Sequence, residues 1–416
     1  MKRLASHRSR AQLAGLAIIA TTFGTLVACA DSTILGEETV PEGGTTVPSL
    51  DSGVFDAEAA AEPVDAPASD ATIPICSTDG FCHTTVPVGV NLIGVWGDGA
   101  GVTWALSSDG DVFRWDGLAW NIHYRTGVSG SSIWGSGPTD VWVVSGGEIF
   151  HGTGASPATL LFSKVQDLPG DPTIPITSLW GSGPDDIWAV GGYPDLNDFG
   201  TFSGRALHFG GSPSSDDAGG GTGWTSDDEL ESRGVAFHAV WGSPTAGAWT
   251  VGLAWDDWGW GSYIQLLRRP PGASEWTDVS DPMAHGYAIE LHGAALSSDS
   301  SVLLSGVAGV FEETRNTTWR GTSTDEGATF TWTSVHHSYW TRRFFAYWGT
   351  GPNDSWGVGE NGLVSHWDGT TWTQAVVRVA DAPIGRTLRA IWGKSNDDFW
   401  VVGDQIALHK TTAGKP

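Results

Sequence analysis

Between about residues 81 and 411 the apolar positions come in short runs of four to seven, broken by clusters of Gly, Asn, Asp and Ser. Leu388-Arg389-Ala390-Ile391-Trp392 reads as a strand, and Gly393 to Asp397 as the turn after it. Asp398-Phe399-Trp400-Val401-Val402-Gly403 is apolar at consecutive positions, which predicts a strand buried on both faces. One unit earlier, Gly359-Glu360-Asn361-Gly362 offers a hairpin turn, because Asn-Gly tolerates positive φ. Leu363 to Trp367 follows as a third strand and Thr371 to Val377 as a fourth. No segment after residue 30 keeps an apolar period of 3.6 over three turns, which excludes a helical solenoid.

This four-strand unit recurs. Trp-Gly pairs stand at Trp96, Trp134, Trp180, Trp241, Trp348 and Trp392, and Leu291-His292-Gly293 is a degenerate copy. Successive anchors are 38, 46, 61, 51, 56 and 44 residues apart, a period that belongs to propellers and solenoids. A second Trp follows in strand two (Trp104, Trp142, Trp188, Trp249, Trp356, Trp400) and is expected to pack between neighbouring units. The last unit stops after three strands, near His409. Phe81 precedes the first anchor by 15 residues, within the 14 to 20 that separate other fourth-strand aromatics from their next anchor. We therefore expect an all-β, seven-bladed β-propeller in which residues 81–87 complete the last blade and remove both sheet edges.

The first residues have another character. Met1 to Arg10 holds four basic residues, and Ala11 to Ala28 is uncharged and ends in Leu26-Val27-Ala28-Cys29. A basic segment, an apolar stretch and a small-residue exit describe a secretory signal. The exit resembles the bacterial lipobox, which implies cleavage after residue 28 and lipid on Cys29; Ala30 then implies outer-membrane sorting. An ordinary signal peptide or an anchor with an incidental Cys is the alternative. Residues 29–75 are rich in Ala, Pro, Thr, Asp and Glu without Lys or Arg, the composition of a disordered acidic tether. Such a coil spans about 40 Å. The propeller is assigned to 76–411 and a short tail to 412–416. Cys76 and Cys82 read as a disulfide in an exported chain, with a metal pair or two free thiols as alternatives.

Net charge is −26, which argues against nucleic acid or anionic lipid headgroups as the main partner. Ser323-Thr324-Asp325-Glu326-Gly327-Ala328-Thr329-Phe330 matches the Asp-box pattern, with Asp116-Gly117 and Asp368-Gly369 as shortened relatives. With the repeated Asp-x-Trp-x-Val-Gly, about four fifths of the chain resembles bacterial propeller lipoproteins of the BNR/Asp-box and photosystem-assembly-factor type. The resemblance implies a fold-stabilising role for Asp325 and leaves activity open.

Candidate chemistry falls on inserted loops. Tyr193 and Phe202 flank one, Trp255, Trp258 and Trp260 another, and Tyr339, Trp340 and Arg342 a third. In a propeller these loops share one rim, where aromatic faces beside polar edges suit a sugar or peptide; packing among the aromatics is the alternative. His336-His337 point to opposite faces of a strand, poor geometry for a metal, and no complete calcium loop is spelled at Asp256-Asp257 or Asp185-Asp186. No cofactor is implied. A sialidase-like reading would draw on Arg205, Arg342, Arg343, Arg389, Tyr263 and Tyr339, but the opening Arg-Ile-Pro stretch of that family is missing. The sequence points to an envelope-anchored, non-enzymatic binding or scaffold module for a glycan, peptide or protein. A polysaccharide hydrolase and an envelope assembly factor are the alternatives.

Overall fold

In the computed structural model the described residues are 76–195, 201–211, 223–255, 261–280, 287–310, 313–325, 327–338, 341–379 and 382–412. Cys29, the tether, Trp258, Trp260, Tyr339 and Trp340 lie outside them. Seven four-stranded antiparallel sheets form a propeller ring. Blade 1 runs Leu92–Gly97, Thr103–Ser107, Asp111–Trp115 and Trp120–Arg125. Blades 2 to 6 repeat this order, each beginning with the strand that carries the anchor: Gly130–Gly137, Ile176–Gly183, Val235–Ser243, Tyr287–Ser298 and Phe344–Gly351. Blade 7 is Leu388–Ser395, Asp398–Gly403 and Ile406–Thr411, completed by Phe81–Thr84. Strand two of this blade matches its sequence expectation residue for residue. The fourth strand of blade 6 is shorter than expected, Trp372–Gln374, because only those residues pair with Ser365, His366 and Trp367.

The closing strand lies where the sequence placed it but is shorter, Phe81–Thr84 instead of 81–87. Phe81 pairs with Lys410 and Thr84 with Ala407. The Thr84 hydroxyl donates to the Ala407 carbonyl at 3.1 Å and accepts the Trp120 indole N–H of blade 1 at 3.0 Å. One buried side chain thus ties the last blade to the first. Cys76 and Cys82 are bonded, holding the entering chain against this strand.

The Trp-Gly pair now has a physical reason. A methyl group on Gly135 would come within 2.8 Å of the Trp96 indole in the preceding blade. The same holds for Gly181 against Trp134 and Gly242 against Trp180, at 2.7 Å each, and for Gly393 against Trp348 at 2.9 Å. Trp392 meets Gly97 in the same way and closes the circle. Each indole needs a neighbour with no Cβ, so the motif is an interlock between blades. It fails on both sides of the degenerate unit, where Gly293 meets the Phe345 backbone and Gly349 faces Ser297 instead of an indole.

A second belt lies further out. The strand-two Trp of one blade meets the fourth-strand aromatic of the next: Trp104 with Phe162, Trp142 with Trp224, Trp188 with Trp276, and Trp400 with Trp120. Trp356 meets Phe81, so the closing strand supplies the aromatic that blade 7 otherwise lacks. The buried clusters accordingly straddle pairs of blades. Between blades 5 and 6 a cation takes over, with Arg320 4.8 Å over Trp367 and bonded to the Pro352 carbonyl at 2.7 Å.

Three substitutions test the interlock and the belt. Gly135→Ala should cost about 1–3 kcal/mol by overpacking against Trp96, whereas Gly137→Ala, with open space at its Cβ, should change little. Phe81→Ala should cost about 3–5 kcal/mol. Urea unfolding measures all three.

Candidate functional site

Every blade carries a β-bulge on strand one, three residues before the anchor position. The register skips between Leu92 and Gly94, Gly130 and Ser132, Ile176 and Ser178, and Phe237 and Ala239. It skips again between Ala288 and Glu290, Phe344 and Ala346, and Leu388 and Ala390. The extra residues are Ile93, Ser131, Thr177, His238, Ile289, Phe345 and Arg389. A bulge re-aims a side chain that regular pleating would direct elsewhere. On the innermost strands, seven bulges ring one end of the central channel.

Ser131, Thr177, His238 and the neighbouring His292 line a cavity of about 540 Å³ at this mouth, walled by Phe237, Leu253 and Leu291. His292 sits at a second bulge of blade 5 and meets Phe345 edge-on at 5.5 Å. The His238 Nε2 lies 3.4 Å from the His292 carbonyl. Arg343 and Arg389 both sit over Phe345, and each has a carboxylate partner: Glu360 at 2.6 Å and Asp404 at 2.6 Å. Ser132 and Ser178, next to the bulges, have a different task. Ser132 accepts the Leu179 N–H, and Ser178 accepts the Val240 N–H at 3.1 Å, joining blade to blade.

Burial pulls the His292 imidazole below its ordinary pKa of 6.5 against the opposing carboxylates of Glu290 and Glu360, with Arg343 and His238 acting in the same direction as burial. His238 touches channel solvent, but the blades crowd it, and that desolvation also lowers its pKa. Both rings are therefore neutral at pH 7.

The strand ends that flank the inserted segments lie on this same face, since links from strand two to three and from strand four to the next blade share it. Tyr193 is 37% exposed. Phe202 and Trp255 come from blades 3 and 4 and meet edge-on at 5.9 Å, both half-buried, so part of the expected aromatic platform packs on itself. Arg342 is exposed and donates to the Gln374 side chain at 2.7 Å.

Sequence reasoning missed the channel residues and a recurrent Asp–His pair. Asp140 bonds His151 at 2.5 Å, Asp186 bonds His208 at 2.7 Å, Asp354 bonds His366 at 2.6 Å and Asp398 bonds His409 at 2.8 Å. Each imidazole stacks on its blade's strand-two Trp, with centroids between 3.6 and 4.4 Å apart. The signal was present as Asp-x-Trp followed by His on the next strand. These dyads are structural. Ser136 and Ser182 bond the carboxylate and leave no serine on the imidazole. For Asp140, burial works to raise the pKa, but hydrogen bonds from His151 and Ser136 outweigh it and hold the carboxyl low. Asp186 is lowered chiefly by the His208 hydrogen bond. Asp354 is lowered by Thr350, His366 and Asn396 against the opposing effect of burial.

Other sequence candidates are also committed to the fold. Arg205 is 4% exposed, with its guanidinium on the carbonyls of Pro169, Leu168 and Ile174. Asp325 accepts from Thr329 and Ser323 in the turn between strands three and four of blade 5, and those bonds, Thr329 first, bring its pKa to about 2. His336 and His337 diverge: His336 Nδ1 meets the Thr317 hydroxyl at 3.0 Å, while His337 faces a small pocket beside Phe344. Among the described residues no group of three His, Cys, Asp or Glu side chains could hold a metal, and no helix is long and apolar enough to cross a membrane.

No protein-family profile matches the chain, and no curated protein does. Solved structures share its fold. A YCF48 bound to D1 peptide is 15% identical, covering 82% of this chain and 100% of that one at a TM-score of 0.53. YCF48 from Cyanidioschyzon merolae is 13% identical over 80% and 99%, at 0.55. The extracellular domain of BT4673 from B. thetaiotaomicron is 11% identical over 79% and 39%, at 0.53. These likenesses establish a β-propeller.

The titrating groups set a pH dependence. His292 is held below 6.5, so as pH falls under that value the unfolded chain takes up a proton the native state resists, and stability drops. Asp140, Asp186 and Asp354 are held below 3.8; their contribution is present above that value and is lost as pH falls through their native values. The melting temperature should fall between about pH 7 and 5 and again below about pH 4. His292→Leu should reduce the first fall, to which His238 also contributes, and leave the second; a thermal scan across pH checks both.

Proposed function

We propose that this propeller is a non-enzymatic binding module of the cell envelope, anchored by lipid on Cys29, that takes a polypeptide segment of its partner at the channel mouth. One observation carries the reading. Where the repeats agree, at Trp, Gly and Asp, each residue has a packing or hydrogen-bonding duty between blades. At the seven bulges the backbone agrees and the side chains do not: Ile, Ser, Thr, His, Ile, Phe and Arg. A position fixed in geometry and free in chemistry is what a recognition surface requires on a repeating scaffold.

The mixture of aliphatic, aromatic and hydroxyl groups suits a peptide with apolar side chains better than a sugar, which favours flat aromatic plates. Of the three plates with described side chains, Phe202 and Trp255 are partly turned against each other, and Tyr193 is exposed. YCF48 bound to D1 peptide gives a precedent for a peptide on this fold. The acidic chain and its tether would then hold the mouth away from the membrane surface. Assembly of other envelope proteins is a specific form of this role, and a hydrolase is disfavoured because the Asp–His dyads and Arg205 are committed to structure.

Peptide and glycan arrays probed with the full chain separate the readings. His238→Ala and Ile289→Ala should each weaken peptide capture about tenfold, a loss typical of an interface hot spot, with an unchanged melting temperature. Capture restricted to glycans, or release of sugar from the array, would sink the proposal. Cys29→Ser should move the protein from the membrane to the soluble fraction, as cell fractionation would report.

A further inference from the structure

A second cavity, of about 420 Å³, opens on the same face beside the closing strand. It lies between the chain leaving blade 7 after Phe81–Thr84 and the link from blade 6 to blade 7. Its walls are aliphatic, with Val86, Val379 and Ile384 among them, and Val88 on its lip is 99% exposed. Three polar side chains line it: His83, Arg386 and Gln405. None of the three makes a hydrogen bond or ion pair within the described residues. That sets the cavity apart from the one of about 470 Å³ between blades 3 and 4. There Asp186 and His208 are bonded to each other, and Arg269 reaches the Ala273 carbonyl at 2.8 Å.

Burial, and then the nearby Arg386, lower the His83 pKa, so its imidazole is neutral and offers a single N–H. Arg386 supplies the cavity's one positive charge, in a chain whose net charge is −26. An exposed guanidinium on an aliphatic wall is complementary to an anion with a hydrocarbon body. A carboxylate accepts a guanidinium fork and has further lone pairs for an amide and an imidazole N–H. One carboxylate therefore has lone pairs enough for the guanidinium fork, the Gln405 amide and the His83 N–H. We infer that this cavity is a binding site for an aliphatic monocarboxylate, of the free fatty acid class, with its carboxylate on Arg386 and its chain against Val86, Val379 and Ile384. The site lies beyond the proposed peptide-binding mouth and does not depend on it.

Isothermal titration of the full chain with hexanoate, octanoate and decanoate tests the assignment. Affinity should rise about fourfold for each added methylene until the cavity is filled. Octanamide should bind at least tenfold more weakly than octanoate, and Arg386→Gln should lose tenfold or more for every acid. Ala382→Trp, at the exposed rim, should abolish binding with an unchanged melting temperature. Equal affinity for octanoate and octanamide, or full affinity in Arg386→Gln, would overturn the assignment. So would tighter binding of an acetylated tripeptide ending in a leucine carboxylate than of octanoate. His238→Ala and Ile289→Ala should leave these titrations unchanged, so failure at the channel mouth and failure here are told apart.

Discussion

The contact on which the molecule depends is an indole lying where a neighbour has no Cβ. In the sequence Trp96-Gly97 or Trp134-Gly135, the Trp serves the following blade and the Gly receives the preceding one. A blade of four short strands has no core of its own, and two-sided burial is available to it only between neighbours. The interlock therefore ties local sequence to ring geometry. Strand one must keep its register so that each Gly arrives beneath an indole, and that fixed register places a bulge at the same point in every blade. The channel mouth follows from how the blades hold together.

Much of this was legible in the sequence for a physical reason. Tight turns and two-sided strands require particular residues, so Gly359 to Gly362 and Asp398 to Gly403 announce themselves. Phe81 could be recognised because the belt of fourth-strand aromatics demanded one more member. The bulges were illegible: Ser131, His238 and Ile289 share no residue type, and nothing in a linear reading separates a bulged position from a pleated one. The Asp–His dyads were half legible, since Asp140 and Asp354 belong to the visible repeat while their partners sit at variable distances across a hairpin. Of the expected rim residues, Phe202 and Trp255 come together, yet as partners of one another.

Charge has a similar division of labour. Opposite Trp on strand three stands His in four blades, and Arg114 and Arg268 take that place in blades 1 and 4. The four imidazoles stack on the indoles and bond Asp, and Arg268 lies over Trp249 with its guanidinium on the Ala246 and Gly327 carbonyls, so these groups contribute to packing.

The borrowed strand of blade 7 also sets the order of events during synthesis. Phe81–Thr84 leaves the ribosome before any blade exists, and its partner Ile406–Thr411 emerges last. At ordinary elongation rates of about 5–20 residues per second, roughly 20–60 s separate the two. Throughout that interval an apolar segment has no sheet to join. Ring closure thus waits for the final hairpin, and the first-made strand of the propeller is the last to find its sheet.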